Sequence, residues 1–195
     1  MGPVLAVLIA GCAAGATPTA TDETPSETAG DAALLLDRLD ALGEAIADWR
    51  SAGDLASARR AAEAARNLVV GPAGPFYGDA DGDGSVEGSN AVGLLPGLDG
   101  EAGLATADLG DCVVRDVLGG DWSDAAERWA ILERAIAGWA PTNNTFPALP
   151  SHPQRVVGWA TLTLRATDLA SAAEYGGHAE LHLEVSRRAL EACDA

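Results

Sequence analysis

The residues whose types and spacing could do chemistry lie in Asp79 to Asn90, DADGDGSVEGSN. Asp79, Asp81 and Asp83 occupy alternate positions and Gly84 follows at once. A tight loop can turn every second side chain inward, and a set made only of oxygen ligands suits a hard cation. Ser85, Glu87 and Asn90 add further oxygens. The alternative is an acidic, glycine-rich, solvated turn. A second candidate is His178 with His182, four apart and so on one face of a helix. That spacing can hold a transition metal, with Glu174 or a carboxylate of another helix completing the shell. It is not the HExxH arrangement, and two boundary histidines would have the same spacing. His152, in a loop before Pro153, has no assigned role.

The acidic stretch resembles an EF-hand-type calcium loop over about ten residues. In that loop positions 1, 3 and 5 supply carboxylates, position 6 is a glycine at the sharp turn, and position 7 gives a backbone carbonyl. Those positions fall on Asp79, Asp81, Asp83, Gly84 and Ser85, with apolar Val86 at 8 and Glu87 at 9. Position 12, normally a bidentate Glu, is Asn90. GPAGPFYG before the loop and AVGLLPG after it exclude a helix pressed on either side. The resemblance therefore implies a lone calcium loop, weakened toward roughly 10⁻⁴ to 10⁻³ M, the range of extracellular modules.

The chain has 195 residues, a length that favours one domain, and its 48% hydrophobic content is enough for a core. Net charge is −17, and every one of the twelve basic residues is Arg. Nucleic acid is excluded, because phosphate neutralisation needs clustered cationic side chains. Electrostatic docking on anionic lipid is disfavoured for the same reason. No GxSxG, Walker loop or GxGxxG after a strand occurs. Glu101 with Asp108 could be posed as acid and base, but among 29 carboxylates such pairs arise by chance. No catalytic residue is assigned.

Residues 1–12 read MGPVLAVLIAGC. Ile9-Ala10-Gly11-Cys12 resembles a bacterial lipobox, although no Lys or Arg precedes the apolar run. That resemblance implies a signal peptide over 1–11 and a diacylglycerol on the Cys12 thiol, holding the chain to the extracytoplasmic face of a membrane. The run itself is too short to span a bilayer. Residues 12–30 are rich in Thr, Ala and Pro and carry no large apolar residue, which reads as a disordered tether.

Residues 31–195 read as a helical domain, all-α: a bundle of two αα-hairpins with a long irregular calcium-loop insertion at 71–110. Leu35, Leu39, Leu42, Ile46 and Trp49 step by 4, 3, 4 and 3, the seam of a packed helix. Leu55, Ala58, Ala62, Ala65 and Val69 repeat it after an Asp54 N-cap, and Gly71-Pro72 ends the second helix. No seam runs through the insertion, which Phe76, Tyr77, Leu94, Leu95 and Leu98 could pin while calcium supplies the internal scaffold. Val113 to Leu118 suggests a short helix. Ala125, Trp129, Leu132, Ile136 and Trp139 form another, capped by Asp121 or Ser123. The second hairpin is read from Trp159 to Ala173, a tight break at Gly176-Gly177, and a last helix over Ala179 to Cys193.

With Cys12 lipidated, Cys112 and Cys193 remain, an even pair in an oxidising compartment. A bridge between them would tie the last helix to the region after the loop; two unpaired thiols are the alternative. The reading as a whole is a lipid-anchored, extracytoplasmic, calcium-binding helical protein. It would act as a surface binding or interaction module for a protein or small-molecule partner that the residues do not identify. The alternative is a transition-metal-handling lipoprotein using His178 and His182.

Overall fold

The computed structural model describes residues 2, 27–106, 111–141, 146 and 149–193. Residues 3–26, which take in most of the expected signal peptide, Cys12 and most of the expected tether, lie outside them, as does Asp108. Among the described residues six α-helices follow one another: α1 (Glu27–Ser51), α2 (Leu55–Val70), α3 (Asp111–Asp116), α4 (Ala125–Ala137), α5 (His152–Arg165) and α6 (Leu169–Cys193), with a 3₁₀ turn at Leu104–Thr106. The described residues include no strand, and no helix among them is long and apolar enough to cross a membrane. The all-α bundle read from the seams is what forms. α1 begins at Glu27, inside the stretch whose composition reads as tether.

Helices α1, α2, α5 and α6 close a four-membered ring, each packing on the next, while α3 lies on α6 and α4 on α5. The seams explain why. Leu35, Leu39, Leu42, Ile46 and Trp49 of α1 are all buried, as are Ala58, Ala62, Ala65 and Val69 of α2. The alanines let α2 sit close to its neighbours, and the bulk comes from Trp49, Trp129 and Trp159. Trp49 also ties the two ends of the ring together, donating its indole N–H to the Ala172 carbonyl at 2.8 Å. Helix starts are capped as expected for short acidic residues. Asp54 accepts from the Ser57 amide at 2.8 Å, and the same contact recurs at Asp168 with Ser171. Each such cap is worth about 1 kcal/mol.

Two sequence readings change. The cap of α4 is Asp124, which accepts from the Glu127 amide, while Asp121 accepts from Ser123 instead. The second hairpin turns at 166–168 and not at Gly176-Gly177, and α6 runs unbroken through both glycines. Asp168 provides the cap that makes that earlier turn. Gly176 is needed for proximity, since a Cβ there would come 2.9 Å from Arg50 Cγ and 3.3 Å from the Trp49 ring. A glycine chosen for close helix packing looks in sequence like one chosen for a turn.

The insertion after α2 has no regular structure over 71–103, yet it is firmly attached. Leu94 and Leu95 are buried, Phe76 and Tyr77 half-buried, and Leu98 is 41% exposed. The Leu95 amide donates to the Val69 carbonyl at 3.0 Å, and Arg38 of α1 donates to the Leu68 and Val92 carbonyls. Backbone lies directly on backbone at Gly93, where a Cβ would stand 2.1 Å from the Val70 carbonyl oxygen. Cys112 and Cys193 are bridged, joining α3 to the end of α6 across a separation of 81 residues.

Candidate metal centre

The face of α2 turned to the insertion carries Glu63, Arg66 and Asn67, three polar side chains no more than 6% exposed. They sit at i, i+3 and i+4, one stripe beside the apolar seam. Burial of such groups is costly unless their hydrogen bonds are made. Here the loop makes them. Glu63 Oε2 accepts the amides of Ala80 (2.5 Å) and Asp81 (3.0 Å), and Oε1 accepts that of Glu87 (3.0 Å). Asn67 accepts from the Gly78 amide and donates to the Gly78 and Glu87 carbonyls. Arg66 donates to the Gly78 carbonyl, and burial lowers its pKa against the opposing pull of Glu63. The insertion thus takes shape on α2 side chains, a scaffold additional to the calcium expected from the sequence.

Within the loop the carboxylates are oriented by its own amides. Asp79 accepts from Gly82 (2.8 Å) and Gly84 (2.9 Å), Asp81 from Asp83 (3.0 Å), and Asp83 from Ser85 (2.9 Å). Those contacts leave each carboxylate with unused lone pairs. Among the described residues, Glu63, Asp79 and Asp81 form a group of three whose ligand oxygens all lie within 4.8 Å of one another. Glu63 is buried, Asp81 intermediate and Asp79 exposed, so the group runs from the helix surface to solvent. An all-carboxylate set fits a metal ion of the hard class.

Other members of the expected ligand set are engaged differently. Asp83 Oδ2 meets the Arg60 guanidinium at 3.1 Å. The Ser85 amide and then Arg60 lower the Asp83 pKa. Ser85 uses its amide on Asp83, and Glu87 contributes an amide to Glu63 and a carbonyl to Asn67. Asn90 turns its side-chain nitrogen to the Asn67 and Gly88 carbonyls, while its Oδ1 is buried without a partner. Glu63, from outside the loop, is the third carboxylate beside Asp79 and Asp81. The signal for Glu63 was available: a polar stripe on α2 directly before a glycine-rich insertion. What no local pattern supplied was the direction in which the insertion folds back.

The histidines are arranged otherwise than their spacing suggests. His178 stacks on Trp159, centroids 4.4 Å apart and planes 15° apart, with its Nε2 4.0 Å from Glu174. The contact of His182 is His152, Nδ1 to Nδ1 at 3.1 Å. His152, which has no assigned role in the sequence reading, is the facing residue. Compared with protein-family models, with curated proteins and with solved structures, the chain matches none.

Proposed function

We propose that the chain is a calcium-binding helical module, carried outside the cytoplasm by a lipid on Cys12, in which the ion fastens the 79–90 loop to α2. One observation carries the metal reading. A fully buried Glu63 shares its ligand sphere with Asp79 and Asp81, so loop and helix each contribute to one cluster of oxygens. Glu63, Asp79 and Asp81 would hold the ion, and Asp83 would join on exchange of its Arg60 contact. The ion supplies positive charge where three carboxylates converge. The role is structural: it stabilises the surface that the insertion presents to a partner. The lipobox resemblance of Ile9 to Cys12 supports the location.

Differential scanning calorimetry of the protein in chelator and in about 10 mM calcium tests this. With a Kd of roughly 10⁻⁴ to 10⁻³ M, mass action gives about 1.4 to 2.7 kcal/mol of stabilisation. That is a rise of about 3 to 10 °C for a domain this size. Asp81→Ala is expected to abolish the rise. An equal melting temperature in chelator and calcium overturns the reading.

A further inference from the structure

We propose that His152 and His182 form a second, independent metal site, a two-imidazole chelate for a borderline transition-metal ion, with copper(II) preferred to zinc. The chain has three histidines, and all three gather at one place between the start of α5 and the middle of α6. His152 Nδ1 and His182 Nδ1 face each other at 3.1 Å, their ring planes 47° apart. With metal–nitrogen bonds of about 2.0–2.1 Å, two ligands on one ion stand about 2.9 Å apart in square-planar cis geometry and about 3.3 Å apart in tetrahedral geometry. The observed spacing falls between the two, so an ion entering the pair replaces the hydrogen bond between the rings, each of which turns its Nδ1 lone pair toward it.

The rings are held by rigid elements. α5 and α6 pack on each other, and His178, one turn before His182, is fixed by its stack on Trp159. The His178 ring is engaged by that stack and is not counted among the ligands. The chemistry of the donors sets the metal. No group of three ligand residues among the described residues includes a histidine, so no carboxylate cluster competes for a hard cation here. Arg155 presses its charge on both rings. That charge opposes every dication alike, so the preference for copper(II) over zinc rests on the imidazole donors themselves. Burial lowers the pKa of both imidazoles, which favours the neutral form that a metal requires. The proton that joins the two Nδ1 atoms can move to Nε2 by tautomer exchange, so an ion can enter without net proton release. A cleft of about 390 Å³, bordered by Pro150, His152 and Val185 and also lined by Arg115 and Arg188, reaches the His152 side of the pair.

The test is titration of the calcium-loaded full chain with copper(II) and, separately, zinc at pH 7.4, in competition with a chromophoric chelator, followed by electron paramagnetic resonance of the copper form. The expected result is one copper(II) per chain with superhyperfine coupling to two imidazole nitrogens, and weaker zinc binding. His152→Gln and His182→Gln are each expected to weaken copper at least tenfold. His178→Gln and Asp81→Ala should change it less than threefold. Oxygen-only coordination overturns the proposal, as does binding unchanged in His152→Gln, or loss in His178→Gln with retention in His152→Gln. The nitrogen coupling is read on the unaltered protein, so it decides even if a variant fails to fold.

Discussion

Asp81 donates its backbone N–H to Oε2 of Glu63 across 3.0 Å, although the two stand 18 residues apart and on different elements. The contact places a buried carboxylate of α2 at the root of the acidic loop. It ties an exposed loop to the helical core.

Glu63→Gln is expected to lower stability even without calcium. The variant keeps the shape but sets an amide nitrogen against an amide N–H, and it weakens the remaining charge-assisted bonds. The loss is about 2 kcal/mol. Removing the charge also relieves repulsion from Asp79 and Asp81, but those partly solvated groups are screened and return about 1 kcal/mol or less. Urea denaturation in chelator should therefore show a lower midpoint for Glu63→Gln. An unchanged or raised midpoint would show that repulsion dominates.

Gly88→Ala and Gly82→Ala separate backbone strain from contact. Both glycines have positive φ, +67° and +79°. A Cβ at Gly88 would meet the Ala64 carbonyl oxygen at 2.2 Å, whereas at Gly82 nothing lies within 4 Å. Each variant carries a conformational cost of about 1–3 kcal/mol. Gly88→Ala alone must also lift the loop from α2. Equal melting temperatures for the two would contradict the docking of the loop described here.

Reduction of the Cys112–Cys193 bridge is expected to cost about 4 kcal/mol, since it releases a long loop in the unfolded chain. The two cysteines are 81 residues apart and join α3 to the last turn of α6. Urea midpoints with and without reductant give the difference. A loss below about 1 kcal/mol would mean that the reduced unfolded state stays compact.

Acidification should unfold the metal-free protein partly through His182. Burial first, then Arg155, His152 and His178, push its pKa down from 6.5 to about 3. The unfolded chain therefore binds a proton between pH 6.5 and about 3 that the folded chain refuses. Stability contributed by the neutral ring is complete above 6.5 and is lost as pH falls through that window. In chelator, the urea midpoint of His182→Gln should fall less steeply over pH 6.5 to 4 than that of the parent. Parallel slopes would refute this assignment, because the carboxylates titrate alike in both.

Periodicity alone determined the bundle. The seams of Leu35 to Trp49 and Leu55 to Val69 follow the helical repeat, and burying each stripe requires another helix. The loop's DxDxDG pattern was equally legible, because its turns are made by its own amides within a few residues. Gly176 reads as a turn in sequence but serves close packing, since a glycine's need for space and its freedom to turn leave the same letter. Glu63, Asn67 and His152 gained their meaning only from the tertiary structure. Their partners lie 11 to 30 residues away, and a local pattern carries no information on where a chain without periodicity returns. Buried polar groups must find hydrogen bonds, but which distant groups provide them is decided when the helices pack and leave one way for the insertion to lie.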